Sequence, residues 1–205
     1  MMHSNIMNVR AVAGVVLSLA LGFTGCSTEV TRMDAGEVKD LSGAWNDTDS
    51  QQVSEEMIKD VLNRPWFGEF SRAQNRQPAV IVGEVVNLSH EHINVNTFVA
   101  DVERALINSG KVQFVASAAE RQEIRGERKD QDLHASEATR KPMGQEKGAD
   151  FMLKGTINTI IDVSGKTQLR FYQVDLTLIS LADNRKVWAG QKKIKKLVER
   201  SNLRF

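Results

Sequence analysis

The spacing of apolar residues changes along the chain, and each change predicts an element. Ala11 to Leu21 (AVAGVVLSLAL) is an almost unbroken apolar run, about half the roughly 20 residues that a membrane-spanning helix needs. Residues 27 to 48 show neither helical nor strand period and predict a flexible tether. From Asp49 the helical period begins. Val53, Met57, Ile58, Val61 and Leu62 share one face, Asp49 or Ser50 can cap the start, and Pro65 stops the helix. Trp66 and Phe67 then read as a hydrophobic plug that folds the helix end onto the core.

Pro78 opens the strongest strand, Ala79 to Asn87 (AVIVGEVVN), whose near-continuous apolar start suits a central position covered on both faces. A loop, LSHEHIN, leads to a helix over Val95 to Asn108 with Phe98, Val102, Ala105 and Leu106 inward and Gly110 as its stop. Val112 to Ala116 predicts a second strand, and Ser117 caps a charged helix containing AERQEIRGERKDQ. Residues 131 to 149 break the rhythm as a loop with a short helix, a length that is uncommon without function. Three strands close the chain, Phe151 to Ile161, Thr167 to Leu181 and Lys186 to Ile194, with turns at Ser164-Gly165 and Asp183-Asn184. Strand-helix-strand-helix followed by hairpins predicts an α/β fold with a single mixed sheet flanked by helices.

Composition narrows the function. The 27 basic and 26 acidic residues leave a net charge of +1, which supplies no field for nucleic acid. The only cysteine, Cys26, lies in Leu21-Gly22-Phe23-Thr24-Gly25-Cys26-Ser27, just after the apolar run. An apolar core of signal-peptide length, small residues and then Cys26 resemble the lipobox of bacterial lipoproteins, with Phe23 where Leu is commonest. The resemblance implies a leader over residues 1–25, a diacylglyceryl group on the Cys26 thiol and acylation of the new amino terminus. Several acyl chains meet the two-signal requirement for stable anchoring. Ser27 rather than Asp after the cysteine resembles the sorting signal for the outer membrane, so the domain is expected in the periplasm, tethered to the inner leaflet. With Cys26 carrying lipid, no thiol remains for a disulfide, thiolate catalysis or a cysteine metal site.

Catalytic signals are weak. Val163-Ser164-Gly165-Lys166-Thr167 ends like a phosphate loop, but Ile160 stands where that motif needs glycine. His90 and His92 could begin a metal site; a complete one needs further ligands, and capping of the next helix is the simpler reading. No nucleophile comes with an evident base and orienting acid. The charges of ERQEIRGERKDQ read as a solvated helix face. Lys192, Lys193, Lys195 and Lys196 serve equally as guards of an edge strand or as an anion contact.

The blocks DTDSQQVSEEMIKDVLNRPW, VIVGEVVNLSHEHINVNTF, KVQFVASAAERQ, GADFMLKGTINT, YQVDLTLISLADNRKVW and KKIKK together resemble the LpoB family, outer-membrane lipoproteins that activate bifunctional penicillin-binding proteins. The resemblance covers residues 48 to 196 and implies a fold similar to the amino-terminal domain of TolB over residues 49–205. It implies a peptidoglycan synthase as protein partner and no chemistry of the chain's own, hence no enzyme activity, cofactor, small-molecule substrate or nucleic acid. The best-known members carry a long proline-rich tether, whereas residues 26–48 contain no proline. Those residues reach about 80 Å fully extended and about 24 to 29 Å as a coil. An alternative class is a subunit of an outer-membrane secretion or assembly complex like that of CsgG, against which stands the lack of a clear pair of membrane hairpins. The partner surface is expected on the polar insertion and the strand beside it, at Arg140, Lys141 and Lys154, since Phe151, Leu153 and Ile157 alternate inward and turn Lys154 out.

Overall fold

A computed structural model describes residues 28–34 and 36–199. The chain divides into two units, Met1–Glu37 and Val38–Phe205. Described residues of the first unit are exposed, with one local turn in which the Gly36 N–H donates to Asp34 Oδ1 at 2.7 Å. The described helices and strands all lie in the second unit.

Helix α1 spans Asp47–Leu62 and buries Val53, Met57, Ile58, Val61 and Leu62, the face its spacing predicts. Its start lies ahead of Asp49 because the cap is Asn46. The Asn46 side chain accepts from the Asp49 N–H at 3.0 Å, while the Asp49 carboxylate accepts from the Asn46 N–H at 3.0 Å, a reciprocal capping box. Pro65 ends α1 and also begins a second helix that the sequence did not announce, α2, Pro65–Gln74. At this first position its missing N–H is no loss. Trp66 plugs the core as expected. Its Nε1 donates to the Val61 carbonyl at 2.7 Å, and its ring meets Phe151 edge-on at 5.0 Å.

Five strands form one mixed sheet: β1 Ala79–Asn87, β2 Gln113–Phe114, β3 Phe151–Ser164, β4 Thr167–Ser180 and β5 Lys186–Glu199, in the order β2-β1-β3-β4-β5. β1 runs parallel to β2 and β3, and β3, β4 and β5 are antiparallel neighbours. β1 is interior, but only Ala79, Val80 and Ile81 at its start are fully buried, and β3 holds the centre. β2 is shorter than Val112 to Ala116, while β3 and β5 run past their expected ends to Ser164 and Glu199. The hairpin turns fall where expected, with Gly165 and Asn184 at φ +58° and +61°.

Helix α3, Val95–Asn108, packs with α1 over one face of this sheet. There Phe98, Val102 and Leu106 join Leu153 and Ile157 of β3, Val174, Leu176 and Leu178 of β4 and Trp188 of β5 in the main core. The opposite, outer face carries a small apolar cluster at the starts of β1 and β3, Ala79, Ile81 and Val115 with Met152 and Ala149. Helix α4, Ala118–His134, buries no residue; Ser117 caps it as expected, in a box with Glu120. The irregular segment therefore begins at 135 rather than 131 and contains turns but no helix.

Part of the expected tether packs as a strap. Trp45 meets Tyr172 edge-on at 5.6 Å, its N–H donates to Glu91 Oε2 at 3.1 Å, and its Nε1 donates to Ser50 Oγ at 2.8 Å. Lys196 Nζ donates to Asp40 Oδ1 at 2.7 Å, to Asp49 Oδ2 at 2.6 Å and to the Ala44 carbonyl at 3.2 Å. Tyr172, Glu91 and Lys196 lie far from the strap in sequence, so periodicity could not reveal these contacts. Burial opposes the Lys196 charge, but Asp40 and Asp49 outweigh it and raise its pKa.

Candidate partner-binding surface

The segment 135–149 is polar and exposed, and α4 holds it by side chains. Arg121, Arg125 and Arg128 stand on one face of α4, because positions three and four apart adjoin on a helix. Arg125 donates to both carboxylate oxygens of Glu146, at 2.8 and 2.9 Å, and Arg128 Nη1 lies 3.6 Å from Glu146 Oε1. The Arg125 bonds, with the charges of Arg125, Arg128 and Arg121 behind them, hold the Glu146 pKa below the ordinary carboxylate value. The backbone N–H of Lys141 donates to Gln131 Oε1 at 3.1 Å, and Lys147 Nζ bonds Gln113 at the edge strand. The charge pattern of this helix predicts a solvated face, and α4 buries no residue, though its arginines also grip Glu146. The arginine spacing was the available signal, but Glu146 lies across an irregular segment with no period of its own.

The three expected contact residues are all exposed. Arg140 has a loose partner in Glu137 at 3.8 Å. Lys141 borders a shallow depression on α4 with Ile124, Arg128 and Gln131. Lys154 stands on the outer face of β3, opposite Thr177 of β4. A Cβ at Gly83 of β1 would meet Lys154 Cγ at 3.2 Å and Met152 Sδ at 2.9 Å, so the glycine makes room for both side chains. Arg140 and Lys141 thus belong to the α4 side, while Lys154 belongs to the sheet and shares no hydrogen bond or ion pair with them. The link between the two regions is Ala149, which packs in the same cluster as Met152.

Where the segment rejoins the sheet, Asp150 ties three elements. Its carboxylate accepts from Arg76 at 2.6 and 2.7 Å and from the Ala79 N–H at 2.8 Å. The Arg76 bonds, helped by Ala79, lower its pKa despite desolvation. Beside it a groove of about 870 Å³ runs between α2 and the β4–β5 turn, lined by Trp66, Phe70, Arg76, Phe151 and Val187 among others.

His90 Nδ1 lies 3.1 Å from Thr159 Oγ1, and the described residues contain no group of three or more His, Cys, Asp or Glu placed to hold a metal. The lysines of β5 divide by face. Lys192 pairs with Glu56 and Lys196 with Asp49, both on α1, while Lys193 and Lys195 point outward. Cys26 lies outside the described residues, among which no helix is long and apolar enough to cross a membrane.

Charged residues are thus exposed on the outer face of the sheet and on an insertion braced by side chains. Residues 49–194 match the family model described as peptidoglycan-synthase activator LpoB, and the chain belongs to this family. Similar solved structures include the LpoB C-terminal domain from Escherichia coli, at 12% identity and TM-score 0.43 over 72% of this chain and 99% of that one. The NMR structure of E. coli LpoB shows 14% identity and TM-score 0.41 over 86% and 84%. Lipoprotein GNA1162 from Neisseria meningitidis shows 17% identity and TM-score 0.40 over 61% and 87%. No curated protein matches the chain.

Proposed function

We propose that this chain is a periplasmic lipoprotein, anchored to the outer membrane through Cys26, that binds a bifunctional penicillin-binding protein and shifts it toward its active state in peptidoglycan synthesis. The match of residues 49–194 to a family of peptidoglycan-synthase activators carries this reading. Residues 1–25 act as leader and are removed. An activator of this kind works by binding one state of its target more tightly than another, and coupling free energies are typically about 1 to 3 kcal/mol. A modest charged surface suffices, and Arg140, Lys141 and Lys154 are assigned to it.

Strap packing bears on reach. The packed unit begins at Val38, which leaves a tether of about a dozen residues after Cys26, about 20 Å long as a coil. The synthase must then bring its docking domain close to the outer membrane. Detergent-extracted envelope passed over the immobilised chain tests the reading: retention of a bifunctional penicillin-binding protein by wild type, and its loss with Arg140, Lys141 and Lys154 changed to Glu, is expected. Equal retention by both forms would remove these three residues from the interface, and no retention by wild type would remove the partner.

A further inference from the structure

The end of the sheet where the packed unit begins carries an apolar surface on its outer side. Residues 40–43 lie beside Lys195–Glu199 of β5 and form with them a depression of about 430 Å³. At the same end Leu41 is 85% exposed, Ile160 65% and Leu197 62%. Strand register explains why they cluster. Ile160 of β3 pairs with Phe171 of β4, and Asp162 with Leu169; Phe171 pairs in turn with Lys195 of β5, and Leu169 with Leu197. Directly opposed side chains on one face stand about 5 Å apart. Ile160, Phe171, Leu169 and Leu197 therefore form one field on the outer face, while Leu41, in the strap on the helix side of β5, is exposed at the same end. Helices α1 and α3 pack on the other face.

Single exposed apolar residues need no explanation, but a contiguous field does. Around it Lys166, Lys193 and Lys195 are exposed and have no acidic partner among the described residues, while Asp162 and Glu199 are the neighbouring anions. An apolar field edged by lysines fits a protein partner or a bilayer with anionic headgroups. The course of the chain favours the bilayer. Asp40, held here by Lys196 at 2.7 Å, follows closely on Val38, and from Val38 about a dozen residues lead back to Cys26. As a coil that length spans about 20 Å, so acylation of Cys26 would raise the effective concentration of this end at the lipid.

We propose that this end of the domain rests on the membrane surface, with Leu197, Ile160 and Phe171 at the headgroup boundary and Lys193 and Lys195 against anionic phospholipid. The inference rests on lipidation of Cys26. It orients the domain: β3, with its 14 residues, rises away from the bilayer by up to about 46 Å at 3.3 Å per residue. Phe151, Asp150 and the segment 135–149 then face the periplasm.

The test uses the mature acylated chain in vesicles of phosphatidylethanolamine and phosphatidylglycerol doped with a headgroup-proximal nitroxide lipid. A fluorophore is attached through Leu197→Cys, Ile160→Cys or, at the far end, Met143→Cys; acylated Cys26 has no free thiol to compete. Flotation reports the anchor, and quenching reports contact. Labels at 197 and 160 are expected to be quenched several-fold more than the label at 143. The difference should shrink in the Lys193→Glu, Lys195→Glu background and at 1 M salt, where the Debye length falls to about 3 Å. Equal quenching at all three positions in floating protein overturns the orientation and leaves the anchor standing. Shielding of 197 that appears only on adding synthase, or only at high protein density, assigns the surface to a protein or to a second copy and overturns the inference. Protein that fails to float refutes the anchor, and this inference with it.

Discussion

Tyr172 donates its hydroxyl hydrogen to Glu91 Oε1 at 2.7 Å, and that bond closes a site where the sheet, the loop before α3 and the strap meet. The same carboxylate accepts from Arg170 Nη1 at 2.9 Å and from the Trp45 N–H at 3.1 Å. Tyr172 is wholly buried, so its hydroxyl has no water to fall back on. Tyr172→Phe is expected to cost about 1.5 to 3 kcal/mol, the range for a hydrogen bond to a charged group, measured by urea unfolding. A loss below half a kcal/mol would mean that the strap is not held through this pair.

The same group sets an alkaline limit. Burial, with Glu91 second, raises the Tyr172 pKa well above its ordinary value of 10.0. The folded chain keeps this proton where the unfolded chain releases it, so its stabilising contribution is complete below about pH 10 and is lost as pH rises from there toward the folded pKa. Wild type should lose stability more steeply than Tyr172→Phe above pH 10 in parallel melts, and parallel slopes would contradict the assignment.

Asp150 gives the opposite dependence. Its pKa is lowered, first by Arg76, so its contribution is complete above the ordinary carboxylate value of 3.8 and is lost as pH falls through the folded pKa. Asp150→Asn should destabilise by about 1 to 3 kcal/mol at pH 7 and by progressively less as pH falls below 3.8 toward the lowered folded pKa. A pH-independent difference would place the effect in packing rather than charge.

Much of this was legible in the sequence and some was not, for identifiable reasons. The apolar alternation of Phe151, Leu153 and Ile157 gave β3, its inward face and the outward turn of Lys154, because strand period is a local property. β5 beyond Ile194 was hidden because its inward positions Lys192 and Lys196 are charged, and only Glu56 and Asp49 on α1 make that placement tolerable. The strap failed for the same reason: Trp45 and Asp40 acquire their meaning from Tyr172 and Lys196. Of the candidate surface, exposure of Arg140, Lys141 and Lys154 was readable, whereas the grip of Arg125 and Arg128 on Glu146 was not.

The outer cluster tests the sheet. Ile81 is 7% exposed and packs with Ala79 and Val115. Ile81→Asp would bury a charge without a partner, costing several kcal/mol against a total stability of about 5 to 15. Circular dichroism should show loss of the cooperative melt; a wild-type melt would mean that Ile81 is not enclosed.

Anchoring is tested by Cys26→Ser. Radiolabelled palmitate should enter wild type and not the variant, with the melting curve of the domain unchanged. Equal labelling would refute lipidation at Cys26.

The most direct measurement is the rate of glycan-strand synthesis by a purified bifunctional penicillin-binding protein, with and without this chain. The account predicts that wild type raises the rate. The form with Arg140, Lys141 and Lys154 changed to Glu should melt as wild type but stimulate weakly and with less sensitivity to salt. An unchanged synthase rate at saturating wild-type chain would contradict the account.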